Sequence, residues 1–178
     1  MSTFIYIAGS RSITELPQFV CSKLQAVIGK GYHVLIGGET GADEAVQRWL
    51  AERSYRRVVV YADNSLPFCN AGAWDLYRVG SGYAPRPLLS RADIGMVKDA
   101  DAGLILWDGC SQGTQATAMQ LLAYNKTVLL CYLPTKQAFV FRTLNERRRF
   151  IRQLNDFDPH REMRVFCYIR RMRQFVTI

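Results

Sequence analysis

Five short, almost wholly apolar runs recur along the first 135 positions: Phe4–Ala8, His33–Ile36, Arg57–Tyr61, Gly103–Trp107 and Thr127–Tyr132. Each is too short for a core helix and rich in β-branched or aromatic residues. None shows the alternation of a strand with one wet face. Such runs are strands covered on both sides. Stretches of helical period separate most of them. Leu16, Val20, Leu24, Val27 and Ile28 share one face, and Ala45, Val46, Trp49 and Leu50 share another. A helix is also expected over Thr114–Tyr124. Strands that alternate with helices predict an α/β fold, here a doubly wound, mainly parallel five-stranded sheet.

Residues 63–90 break this rhythm. They contain Asn64, Pro67, Asn70, Gly72, Gly80, Gly82, Pro85 and Pro87, and are expected to be a long functional loop. Arg91–Lys98 is expected to be a short helix. After Pro134 the pattern changes again. Ala138–Phe141 reads as an edge strand, and Thr143-Leu-Asn-Glu146 fits a capping box that opens a helix. That helix would turn Phe150, Ile151 and Leu154 inward and its arginines mostly outward. Arg164–Val176 fits either a strand or a helix. The expected division is a ligand-binding domain over residues 1–135 and an Arg-rich extension over 136–178 packed on it.

The net charge of +8 is unevenly placed. Residues 142–178 hold ten Arg and four acids, for +6, whereas residues 1–141 carry only +2. A chain-wide nucleic-acid coat is therefore not expected. A local contact through the basic segment is the less favoured reading beside an oligomer contact or a solvated helix face. The five cysteines are widely spaced with no C-x-x-C, which argues against a disulfide framework or a zinc site. No metal is expected. The first residues lack a basic n-region, and no run approaches the ~20 apolar residues of a membrane span. A cytoplasmic setting without membrane contact is the expectation.

In an open parallel sheet, ligands bind beyond the carboxyl ends of the strands. Three such ends have unusual compositions. Gly9-Ser10-Arg11 offers a close backbone approach, a hydroxyl and a guanidinium fork for phosphate. It also fits a plain tight turn. Gly37-Gly38-Glu39-Thr40-Gly41-Ala42-Asp43 leads into a helix, whose N-terminus attracts anions. Asp43 could cap that helix or accept hydrogen bonds from ribose hydroxyls. Trp107-Asp108-Gly109-Cys110-Ser111-Gln112-Gly113-Thr114 opens another helix, where Gly113 and Thr114 amides and the Ser111 hydroxyl could meet a phosphate. Ser111 or Thr114 could equally be an N-cap. Cys110 has no evident base beside it and reads as a packed thiol. Neither G-x-x-x-x-G-K-[ST] nor G-x-G-x-x-G is present, which argues against ATP hydrolysis and ordinary NAD dehydrogenation.

Taken together, these motifs, with Asp101 before a strand, resemble the SLOG superfamily, closest to its small YspA-like branch. The resemblance spans about residues 3–133. It implies a Rossmann-like domain that binds nucleotides or nucleotide-derived ligands, often as a homo-oligomer. Some members release a base from nucleoside monophosphates. Others sense cyclic or NAD-derived nucleotides in antiviral systems, and others bind single-stranded DNA. The hydrolase branch carries Pro-Gly-Gly-x-Gly-Thr-x-x-Glu. With its Gly-Thr on Gly113-Thr114, Gly109 stands at the proline, Cys110 and Ser111 at the glycines, and Thr117 at the catalytic glutamate. That branch also has an arginine four residues before a methionine, where this chain has Ala92 before Met96 and Arg91 one place displaced.

Threonine cannot stabilise an oxocarbenium-like centre or activate water as a carboxylate does. Asp43 and Asp108 are the substitute catalytic candidates. The expected function is binding of a nucleotide-type small molecule, as sensor or sequestering protein, with N-glycoside hydrolysis as the alternative and no cofactor. The expected ligand-binding residues are Gly9, Ser10, Arg11, Gly37, Gly38, Gly41, Asp43, Asp108, Gly109, Ser111, Gly113 and Thr114.

Overall fold

The computed structural model describes residues 2–63, 68–80 and 89–156. The chain divides into two compact units, residues 1–142 and 143–178. The first contains β1 (Phe4–Gly9), α1 (Gln18–Gly29), β2 (His33–Gly37), α2 (Ala42–Glu52) and β3 (Val58–Asp63). There follow β4 (Asp75–Val79), α3 (Arg91–Asp99), β5 (Ala102–Trp107), α4 (Gln112–Ala123), β6 (Thr127–Tyr132) and β7 (Gln137–Phe141). The second unit contains α5 (Leu144–Asp156). The Glu146 amide donates to Thr143 Oγ1 at 3.2 Å and the Thr143 amide to Glu146 Oε2 at 3.3 Å, the capping box that the sequence predicts. Arg164–Val176 lies outside the described residues.

The fold is α/β, with a seven-stranded sheet in the order β4-β3-β2-β1-β5-β6-β7. Only the β6–β7 pair is antiparallel. Two strands are added to the five read from apolar runs. β7 contains the Ala138–Phe141 segment and closes one edge. β4 corrects the reading of residues 63–90 as loop throughout. Among the described strands it pairs only with β3, so its residues are wetter than those of a central strand. Asp75, Tyr77 and Arg78 face solvent, which leaves no continuous apolar run to detect.

Central strands are buried on alternate residues facing either way, because helices cover both faces. Ile5, Ile7, Val34 and Ile36 join Val20 and Leu24 of α1 and Val46 and Leu50 of α2 in one core. Tyr6, Leu35 and Ile105 point the other way and are also buried. On that side α4 lies so close that a side chain at Gly103 would strike Leu121. Asp101 anchors the start of β1: its carboxylate accepts the Phe4 amide, and its own amide donates to the Phe4 carbonyl, both at 2.8 Å.

The chain runs outward from β1 through β2 and β3 to β4, then returns to place β5 on the other side of β1. The connections after β1 and β5 therefore diverge, and a crevice forms beyond their carboxyl ends.

Candidate functional site

A cleft of about 910 Å³ lies at this switch point, bounded by the ends of β1, β2, β3 and β5 and by α3 and the start of α4. Its wall beside β5 is a network of short hydrogen bonds. Ser10, 1% exposed, sits 3.2 Å from Thr114 Oγ1 and accepts the Asp108 amide at 3.2 Å. The Asp108 carboxylate accepts the Ser12 hydroxyl at 2.7 Å and the Cys110 and Ser111 amides at 2.8 Å. Burial opposes ionisation of Asp108, but these bonds and one from Ser10 outweigh it and hold the carboxyl below its usual range. Ser111 is the N-cap of α4, accepting the Thr114 amide and hydroxyl. The α4 N-terminus, the positive end of its dipole, thus opens on the cleft through Ser111, Gly113 and Thr114.

Arg11 stands at the rim. Its guanidinium meets Glu39 at 2.7 and 2.8 Å, and the two side chains are 76% and 46% exposed. An exposed pair of this kind contributes at most about 1 kcal/mol, so an incoming anion can displace Glu39 at small cost.

The floor is acidic. Asp43, in the first turn of α2, is half-buried, and a side chain at Gly37 would run into its carboxylate. Gly37 is thus required for the close approach. Burial pushes the Asp43 carboxyl well above its usual range. The nearby Asp93 and Glu39 carboxylates push it further, against a backbone hydrogen bond from Glu39 and the charge of Arg11. Asp93, on α3, is bound twice. Its Oδ2 accepts the Ser90 amide and hydroxyl in a capping box, and its Oδ1 accepts the Tyr6 hydroxyl at 2.6 Å. Burial raises Asp93 despite these bonds, while burial and then Asp93 keep the Tyr6 phenol protonated far into the alkaline range.

The folded state therefore retains the Asp43 proton to a higher pH than the unfolded chain, whose aspartates titrate near ~3.9. Stability from this source is full below that unfolded value and is lost as pH rises through the folded value. The expected result is that wild type loses melting temperature relative to Asp43→Asn as pH rises above about 4. Parallel melting curves check it, and a difference independent of pH would refute the assignment.

Opposite the β5 wall, residues 68–71 are held by Gln47 of α2, which is fully buried. Its Nε2 donates to the Gly37 carbonyl at 2.8 Å and the Cys69 carbonyl at 3.0 Å, and its Oε1 accepts the Ala71 amide at 2.9 Å. The Cys69 amide in turn donates to the Gly38 carbonyl at 2.9 Å. This holds Phe68 against Gly38, where it lines the cleft.

Of the residues expected from sequence, Gly9, Arg11, Gly37, Gly38, Asp43, Asp108, Ser111, Gly113 and Thr114 line the cleft. Ser10, Gly41 and Gly109 stand behind its surface. Ser10 ties the loops together, and Gly41 and Gly109 take positive φ values of 93° and 86°. Asp108 and Ser111 are committed to ordering the β5–α4 turn, so Asp43 is the less engaged of the two catalytic candidates. Sequence reasoning missed Tyr6, Glu39, Gln47, Phe68 and Asp93. Asp93 had a signal in Ser90-x-x-Asp93, which reads as a cap and is one. Its contact with Tyr6, 87 positions away, has no local signature.

Comparison with family models, curated proteins and solved structures returns no match. Among the described residues, no helix is long and apolar enough to cross a membrane, and no cluster of His, Cys, Asp and Glu is suited to a metal ion. Cys21, Cys69 and Cys131 carry free thiols, and burial raises Cys131 to about 11.

Proposed function

We propose that this cleft binds a nucleoside phosphate or a ligand derived from one, and that the chain is a Rossmann-like, SLOG-type sensor or sequestering protein. The observation that carries this reading is one cavity with an anion-attracting side and a hydroxyl-accepting side. Arg11 and the α4 N-terminus occupy the first, and Asp43 the second. A phosphate at the rim exchanges the Arg11–Glu39 contact for a bidentate one. Ribose hydroxyls donate to the Asp43 carboxyl, which keeps acceptor capacity in either protonation state.

Among the described lining residues Arg11 is the only cation, against Glu39, Asp43, Asp63, Asp93 and Asp108. Carboxylates repel each added phosphate charge. The site therefore suits a monophosphate or cyclic phosphate better than a triphosphate. Titration calorimetry against mono-, cyclic, tri- and NAD-derived nucleotides tests this. A charge-assisted hydrogen bond is worth about 1.5–3 kcal/mol, so Arg11→Ala should weaken binding about 10- to 150-fold. The reading fails if no nucleotide binds, or if the variant binds as wild type does.

A second reading rests on Asp43 alone. A carboxyl that burial holds well above its usual range can protonate a departing base in N-glycoside hydrolysis. Chromatography of nucleoside monophosphates after incubation would show released base from wild type and none from Asp43→Asn. Release by the variant removes Asp43 from that role, and none from wild type leaves binding as the function.

A further inference from the structure

The cleft has a third sector that neither the anion side nor the carboxylate floor uses. Phe68, Tyr61, Ala62, Leu89, Ala92 and Met96 line the part between the end of β3 and α3. Leu89, Ala92 and Met96 are 4%, 6% and 1% exposed overall, and Tyr61 6% and Ala62 3%, so they form a packed backing, against which Phe68 stays partly exposed. The polar tip of that backing is already satisfied, since the Tyr61 hydroxyl donates to Asp99 Oδ2 at 2.7 Å. What this sector offers a ligand is the Phe68 ring.

The sectors are ordered in space. β5, β1, β2 and β3 are consecutive neighbours in the sheet, so the β5 and β3 ends lie three strand spacings, about 14 Å, apart. The α4 N-terminus lies beside β5. Asp43 follows β2, between the two. Phe68 follows β3, at the far end. A ligand that spans the cleft thus meets a cationic end, a hydroxyl-accepting middle and an aromatic wall, in that order.

Phe68 is also held with unusual care for a loop residue. Fully buried Gln47 fixes the backbone on its C-terminal side through Cys69 and Ala71. The Cys69 amide is tied to Gly38. The Arg78 guanidinium lies 5.3 Å from the Phe68 ring centroid. A ring whose position is fixed in advance stacks a planar partner without an ordering cost.

We propose that Phe68 forms a nucleobase subsite, so that the ligand is recognised through a planar heterocycle as well as its phosphate. This rests on the nucleoside-phosphate reading and deepens it. The base stacks on the Phe68 ring. Gln47 is a positioning residue for this subsite, acting through the 68–71 backbone.

The test compares adenosine 5′-monophosphate with ribose 5-phosphate, which carries the same phosphate and sugar without a base. Stacking on an aromatic side chain is worth about 1–3 kcal/mol by alanine substitution. Phe68→Ala should therefore weaken the monophosphate about 5- to 150-fold and leave ribose 5-phosphate unchanged, while Arg11→Ala weakens both. Phe68→Trp supplies a second measurement that does not depend on the alanine variant folding. Its added indole fluorescence should be quenched by the monophosphate and not by ribose 5-phosphate. The subsite is wrong, and the wider reading survives, if the monophosphate binds with Arg11 dependence but neither Phe68 variant responds to the base. If no nucleotide of the calorimetry series binds wild type, both fall together.

Discussion

Gly41→Val should lower the melting temperature by about 10 °C and abolish nucleotide binding. Gly41 has φ of +93°, a conformation that costs a β-branched residue about 1–3 kcal/mol, and a side chain there would enter the Arg11 backbone. Neither strain can relax cheaply. Gly41 is the N-cap of α2 and its carbonyl accepts the Ala45 amide, while the adjoining Ala42 amide donates to Ser10. Moving Gly41 therefore moves the β1 turn and α2 together. A combined loss of about 3–5 kcal/mol corresponds to roughly 10 °C in a chain of this size. Gly29→Ala is the control. A side chain there meets nothing within 4 Å, and alanine should leave stability unchanged or raise it by up to about 1 kcal/mol. Circular-dichroism melts of both decide the matter. A Gly41→Val melting point within about 2 °C of wild type would show that the turn is not the constraint described here.

Gln47→Leu should be the second severe substitution. Leucine nearly preserves the buried volume but offers no polar group to the Gly37 and Cys69 carbonyls or the Ala71 amide. Each buried group left without its partner costs about 1–3 kcal/mol, so the total should reach about 3 kcal/mol or more. The loss is also local. The 68–71 segment would lose the two bonds that hold it to Gln47 of α2, and protease cleavage there should accelerate before the global transition. Gln47→Glu should be no better, because a carboxylate cannot donate to the two carbonyls. Denaturant melts with limited proteolysis read both effects. Wild-type stability in Gln47→Leu would mean that water or backbone shifts replace the side chain.

The strands legible in the sequence are those whose burial leaves a local trace. β1, β2, β3, β5 and β6 are apolar along their length because helices cover both faces. β4 escaped because an edge strand of Asp75, Tyr77 and Arg78 satisfies solvent as much as the sheet. The same division holds at the cleft. The glycine-rich turns after β1, β2 and β5 announce backbone geometry, and geometry is what local sequence encodes. Tyr6 reads as one more apolar strand residue until its hydroxyl finds Asp93. Phe68 lies among loop-forming residues, and its place depends on a glutamine 21 positions earlier. Such contacts are made by the fold and have no spacing of their own.

The central position of β1 has a consequence for how the chain acquires its structure. β1 is complete by residue 9, yet one of its two neighbours, β5, begins at residue 102. The ladder between them, and the Phe4–Asp101 clasp at its end, close a loop of almost a hundred residues. Contacts of such separation are made late and slowly. Until then β1 presents an open apolar edge flanked only by β2, the kind of surface on which partly folded chains associate. Dilution and low temperature should raise refolding yield. The slow step should be the arrival of β5, with the ligand cleft absent until that step is complete.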